Sequence, residues 1–219
     1  MPVNTKYIAS FEAGSFFHII AKAVGNDLLF NSDNNRRFFL KRYLAYSNGY
    51  LDSYSYTLMN NHVHWLVKCN CHEGLVNHLV KIPARQQKKH QQLFLLNQVS
   101  FEEEIEFQLK DFFISYAMAF NKENNRVGSL FISPFRRIEV NDNAHFTQLI
   151  IYHHANVLKH FGKKDFENYY WSSYQSILSD QPTYLKRKEV LEWFGGRERF
   201  IKTHRENANH YYDHPLGLE

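Results

Sequence analysis

Two histidines two residues apart constrain this chain more than any other feature. They lie inside a β-prone run, Tyr56-Thr57-Leu58-Met59-Asn60-Asn61-His62-Val63-His64-Trp65-Leu66-Val67-Lys68. On a strand, side chains alternate faces, so His62 and His64 point the same way, about 7 Å apart along the backbone. Leu66 and Lys68 share their face; Val63, Trp65, Val67 and Cys69 share the other. Two imidazoles side by side on a rigid element make half of a metal site. In a chain with 13 histidines, a bare His-x-His by itself favours two core or surface residues meeting by chance. Only other stretches of the chain can decide between chance and a site.

A chain of 219 residues, 44% hydrophobic, is long and apolar enough for one domain with its own core plus an appendage. The 16% aromatic share reads as a Phe-rich core rather than a stacking surface. A net charge of +4 admits nucleic acid as a partner without demanding it. Cys69 and Cys71 make no disulfide framework, which points to a reducing cytoplasm. Strand alternation turns Cys69 away from the histidines, so the cysteines are not read as ligands. The N-terminus lacks a basic-then-apolar signal pattern and no run approaches 18 apolar residues, which supports neither secretion nor a membrane span.

Along the chain, Phe16 to Val24 reads as a strand ended by Gly25-Asn26, with His18 as a structural residue. Ser32-Asp33 offers a helix cap before Phe38, Phe39, Tyr43 and Tyr46 at helical spacing, and Asn48-Gly49 closes that helix. Tyr50 to Tyr56 leads into the histidine strand, with Asn60-Asn61 as a kink or bulge. A polar insertion follows, about 72–100. Its Arg85-Gln86-Gln87-Lys88-Lys89-His90 run reads as a solvated helix face or loop. Glu102 to Phe120 is an amphipathic helix; Gly128 to Phe131 and Arg136 to Val140 read as short strands around Pro134.

Asn141 or Asp142 then caps a helix from Ala144 to about His160. Phe146, Leu149, Ile150, His153 and Val157 form an apolar stripe along it. His145, Gln148, Tyr152, Asn156 and Lys159 form a polar one. A tyrosine centred among amides is an odd way to pack a core helix. The order strand, helix, strand, strand, insertion, helix, strand, helix favours an α+β, ferredoxin-like sandwich with a mostly antiparallel sheet. Residues 1–178 are expected to form the main domain, and 179–219 a C-terminal helical appendage broken at Gly195-Gly196.

Read together, four separated stretches carry a resemblance: Thr57 to Val67; Gly128-Ser129-Leu130-Phe131 with Phe135-Arg136-Arg137; Tyr152 to His160; and Trp171-Ser172-Ser173-Tyr174. In this order they resemble the single-tyrosine HUH transposases, which include the REP-associated tyrosine transposases and those of the smallest bacterial insertion sequences. The chain departs from that pattern at Asn60 and Val157, where the family has proline, and at Phe161-Gly162, which inverts the family's order.

The resemblance implies an enzyme that nicks and rejoins hairpin-bearing single-stranded DNA through a covalent 5′-phosphotyrosine. Tyr152 would be the nucleophile, with Mg²⁺ or Mn²⁺ held by His62, His64 and either Asn156, the preferred third ligand, or Gln148. Arg136, Arg137, Lys159 and Arg126 would contact phosphates. It also implies a homodimer, although some relatives act as monomers. The chemistry agrees: forming phenolate at pH 7 costs about 4 kcal/mol, and a divalent cation can offset charge on the scissile phosphate instead. A second reading is a catalytically silent hairpin-binding protein of the same fold. A third, a hydrolytic metalloenzyme using the two histidines alone, is weakened because no Asp or Glu follows at ligand spacing.

Overall fold

The structure, a computed structural model, describes residues 7–161 and 165–213, without the side chains at 143, 144, 159, 161 and 209–213. In chain order it runs β1 (Phe16–Lys22), α1 (Asp33–Ser47), β2 (Leu51–Leu58), β3 (His62–Cys69), α2 (His72–Leu79) and α3 (Lys89–Leu95). It continues with α4 (Phe101–Glu123), β4 (Arg136–Val140), α5 (Asn143–Phe161), α6 (Tyr174–Leu178), α7 (Arg187–Phe194) and α8 (Arg197–Asp213). The expected order of elements is the observed one, and the fold is an α+β sandwich on an antiparallel sheet ordered β2-β3-β1-β4.

Local chemistry sets the element ends. Ser32 Oγ accepts from Asn35 N at 3.2 Å to start α1, and Ser100 and Glu103 close a reciprocal capping box on α4. Cys71 caps α2, its Sγ accepting from Gly74 N. Asn60-Asn61 is not a kink within one strand. It is the turn of a β2–β3 hairpin, closed by Met59 N donating to His62 O at 2.9 Å, because asparagine tolerates turn backbone better than pleated strand. The expected strand at Gly128 to Phe131 reduces to a single bridge between Ala23 and Phe131. Glycine at 128 with a φ of 94°, and proline at 134, leave little backbone suited to a ladder there.

The sheet has a helix layer on each face. On one, Trp65 stacks between Phe39 and Tyr43 of α1, ring centroids 5.4 and 5.0 Å away, and meets Phe112 of α4. Burying such a side chain contributes roughly 3 kcal/mol. On the other face lies α5, with α7 and α8 packed around it. Phe16, Tyr54, Phe146 and Trp193 interlock near its start. As a result α5 is buried around its whole circumference from Ile151 to Leu158, and Tyr152 and Asn156 of the polar stripe are interior while Gln148 is exposed. Among the described residues, no helix is long and apolar enough to cross a membrane.

Candidate metal and nucleophile site

β3 is an interior strand, flanked by β2 and β1. Its Val63, Trp65 and Val67 serve the α1/α4 layer, which turns His62 and His64 toward α5 as strand alternation requires. The rings of His62 and His64 lie 4.9 Å apart, centroid to centroid. Asn61 Oδ1 accepts from His62 Nδ1 at 2.8 Å, a tautomer that makes Nε2 the lone-pair nitrogen. On α5, Asn156 Nδ2 is 3.0 Å from His64 Nε2. One turn earlier, the Tyr152 ring is 5.5 Å from that of His64 and edge-on to it, with the residue 2% exposed. His160, one turn beyond Asn156, brings its ring to 4.7 Å from His62. Gln148, the other amide on that stripe, is exposed.

Behind this pair lie two further imidazoles. His18 of β1 has Nε2 3.0 Å from His64 Nδ1. His153 of α5 has Nδ1 2.8 Å from Ser55 Oγ of β2. Burial holds His18 down to about 3, reinforced by the charge of His145. Burial also keeps His64 and His153 well below the ordinary histidine range, with neighbouring imidazoles adding to it. All three are therefore neutral lone-pair donors near pH 7. His18 and His153 are absent from the sequence-derived site. One reads there as structural and the other falls in the apolar stripe. Only the β1–β3 register and the packing of α5 bring them beside His64.

The residues fit a divalent cation in donor type. Asn156 Oδ1, buried and without a hydrogen-bond partner, becomes available to an ion or to His64 if the amide is turned over. Thr57 Oγ1, beside His64 on β2, is likewise buried without a partner. An N, N, O donor set suits Mn²⁺ and its neighbours better than Mg²⁺, which prefers oxygen throughout. His62, His64 and Asn156 are the residues that would hold such an ion.

The expected phosphate contacts divide by face. Arg136 pairs with Ile20, which in turn pairs with His64, so it lies two strands from the site on the histidine face, half-buried against Tyr7. Arg137 turns to the opposite face, buried, donating to Ala9 O and paired with Glu102 and Glu106. Arg126 is held by Asp27 and by the carbonyls of Gly128 and Ser129. The Lys159 side chain lies outside the described residues. Lys22, exposed and paired across the ladder with His62, is a cation at the site that sequence reading passes over. His160 could have been found as the next i+4 position after Asn156.

The back of α5 is held by a second polar chain. His204 Nδ1 donates to Phe200 O at 2.8 Å, so its Nε2 accepts from His154 Nδ1, also at 2.8 Å. His154 Nε2 then accepts from Ser173 Oγ at 2.8 Å, and Ser173 Oγ accepts from Tyr56 N at 2.9 Å. One directed chain thus ties α8, α5 and β2 together.

No family profile and no curated protein matches this chain. A solved structure of a REP-associated tyrosine transposase bound to a REP hairpin matches it with a TM-score of 0.50 and 10% identity. The match covers 80% of this chain and 86% of that one. At that identity the likeness is one of fold.

Proposed function

We propose that this chain, folded like a REP-associated tyrosine transposase, nicks and rejoins hairpin-bearing single-stranded DNA through a covalent 5′-phosphotyrosine at Tyr152. His62, His64 and Asn156 would hold Mg²⁺ or Mn²⁺. One observation carries the reading. Tyr152 and Asn156, a turn apart on one helix, both meet the paired imidazoles of an interior strand, with 5.5 Å between the Tyr152 and His64 rings. The DNA bound to the similarly folded transposase supports nucleic acid as the partner class.

In this reading the Tyr152 oxygen bonds to the phosphorus, the P–O3′ bond breaks, and the phenolic proton ends on the departing 3′-oxygen. The phosphotyrosine keeps the energy of the broken diester, so a 3′-hydroxyl can reverse the attack. The cation, when bound, offsets charge developing on the phosphate. Asn61 holds the His62 tautomer, and Lys22 and Arg136 draw the backbone toward that face.

The 2% exposure of Tyr152 favours a second reading, a hairpin-binding protein with the fold but not the chemistry. Incubation with hairpin-bearing single strands and Mn²⁺ separates the two. The enzyme gives a denaturant-stable protein–DNA adduct that vanishes in Tyr152→Phe. Binding with no adduct in the wild-type chain leaves the silent protein.

A further inference from the structure

His64 has two nitrogens, and strand transfer uses only one side of it. The other side faces His18 and His153, and those two contribute nothing to that chemistry. The three histidines come from β3, β1 and α5, all are buried, and each offers a ring nitrogen within 4.8 Å of the other two. His18 Nε2 and His64 Nδ1 are already 3.0 Å apart. Two ligands on one tetrahedral zinc, each at about 2.0–2.1 Å, stand about 3.3 Å apart, so a few tenths of an ångström of widening seats an ion between them.

The surroundings match what ligating imidazoles need. Ser55 holds His153 by Nδ1, the outer contact that typically orients a metal-bound histidine. Its Nε2 is buried without a hydrogen-bond partner, as is His18 Nδ1. Leaving His153 Nε2 unsatisfied costs about 1–3 kcal/mol, which an occupant would offset; His18 Nδ1, on the far side of its ring, gains nothing from an ion on Nε2. The donor set holds only imidazole. The thiol of Cys69 belongs to the opposite face of β3 by strand alternation. Neutral imidazole selects zinc, cobalt, nickel or copper over magnesium and calcium.

We infer that His18, His64 and His153 form a closed transition-metal site, taking Zn²⁺ or a chemically similar ion between β1, β3 and α5. An ion on His64 Nδ1 leaves the proton on Nε2, where Asn156, its amide turned over, accepts it through the Oδ1 that lacks a partner. That proton takes His64 Nε2 out of the Mn²⁺ ligand set, so the two ions compete for one imidazole. The site does not depend on the DNA reaction: a chain that nicks nothing can still hold the ion.

The test uses the full chain without a histidine tag, refolded with Zn²⁺ or Co²⁺ because the site is closed to solvent, then dialysed against a weak chelator. The expected result is about one bound equivalent of zinc or cobalt. His18→Phe and His153→Leu lose the ion; His62→Ala keeps it. X-ray absorption at the zinc edge of the wild-type protein, which needs no variant to fold, should count three imidazoles at about 2.0–2.1 Å. No bound ion, fewer than three imidazoles, retention in the His18→Phe/His153→Leu double variant, or loss in His62→Ala would each overturn the assignment. An ordered water in place of the ion gives the first of these results. Adduct formation is scored separately, so failure of the metal site and failure of the strand-transfer reading are told apart.

Discussion

Asn156 Nδ2 sits 3.0 Å from His64 Nε2, and this contact joins the helix of the proposed nucleophile to an interior strand of the sheet. Asn156→Ala removes it and leaves a buried imidazole nitrogen unsatisfied, a loss of about 1–3 kcal/mol in unfolding free energy. Adduct formation should fall at least ~10-fold. Asn156→Asp should bind Mn²⁺ more tightly than the wild-type chain in a titration at fixed pH, because it adds a carboxylate to a donor set that has none. Unchanged Mn²⁺ affinity in both variants would remove Asn156 from the ligand set.

The phenol ring and the imidazoles belong to one chain, with 5.5 Å between the Tyr152 and His64 rings. Mixing Tyr152→Phe with His64→Ala should therefore recover no adduct formation. Recovery in the mixture would mean that active sites are built across two copies.

Acid should unfold this protein through its buried histidines. His204 is held at about 4 by burial, against an ordinary value of 6.5, and burial also lowers His154. The folded state resists protons that the unfolded chain takes up, so stability is complete above pH 6.5 and is lost as pH falls from 6.5 toward 4. The His204 share is roughly 3 kcal/mol. Urea midpoints measured from pH 7 to 4 should fall, and His204→Phe should flatten the slope. A wild-type midpoint constant across that window would contradict the buried, neutral assignment.

The cations on the two faces should behave differently. Lys22→Ala and Arg136→Ala should weaken hairpin binding and each lower the slope of log affinity against log salt by about 0.7–1. Arg137→Ala should leave that slope alone and destabilise the fold by about 1–3 kcal/mol, since its guanidinium is spent on Ala9, Glu102 and Glu106. A salt slope unchanged in all three would argue against phosphate contacts on the histidine face.

Patterns local to one element were legible in the sequence. Strand alternation sets His62 and His64 together, and i+4 spacing sets Tyr152 and Asn156 on one side of α5. What it could not supply was register. His18 reads as an isolated strand histidine until pairing puts Phe16 to Lys22 against His62 to Lys68. His153 reads as core until α5 is set over Ser55. The polar stripe of α5 looks like a surface because what its Tyr152 and Asn156 pack on, the imidazoles of β3, is itself polar and remote in sequence. Arg137 next to Arg136 looks like a second phosphate contact for the same reason: parity along β4 means nothing until the sheet's two faces have owners.

The sheet's strand order fixes where movement can occur. β3 is hydrogen-bonded on both sides, so the imidazoles are mounted on one of the sheet's two interior strands, while α5 rests on them through side chains. On the strand-transfer reading, admitting a DNA strand to a phenol this enclosed would fall to the helix, and α8, fastened behind it through His204 and His154, would be the latch that gives. Loosening the tail, not the strand, should set how often the site stands open.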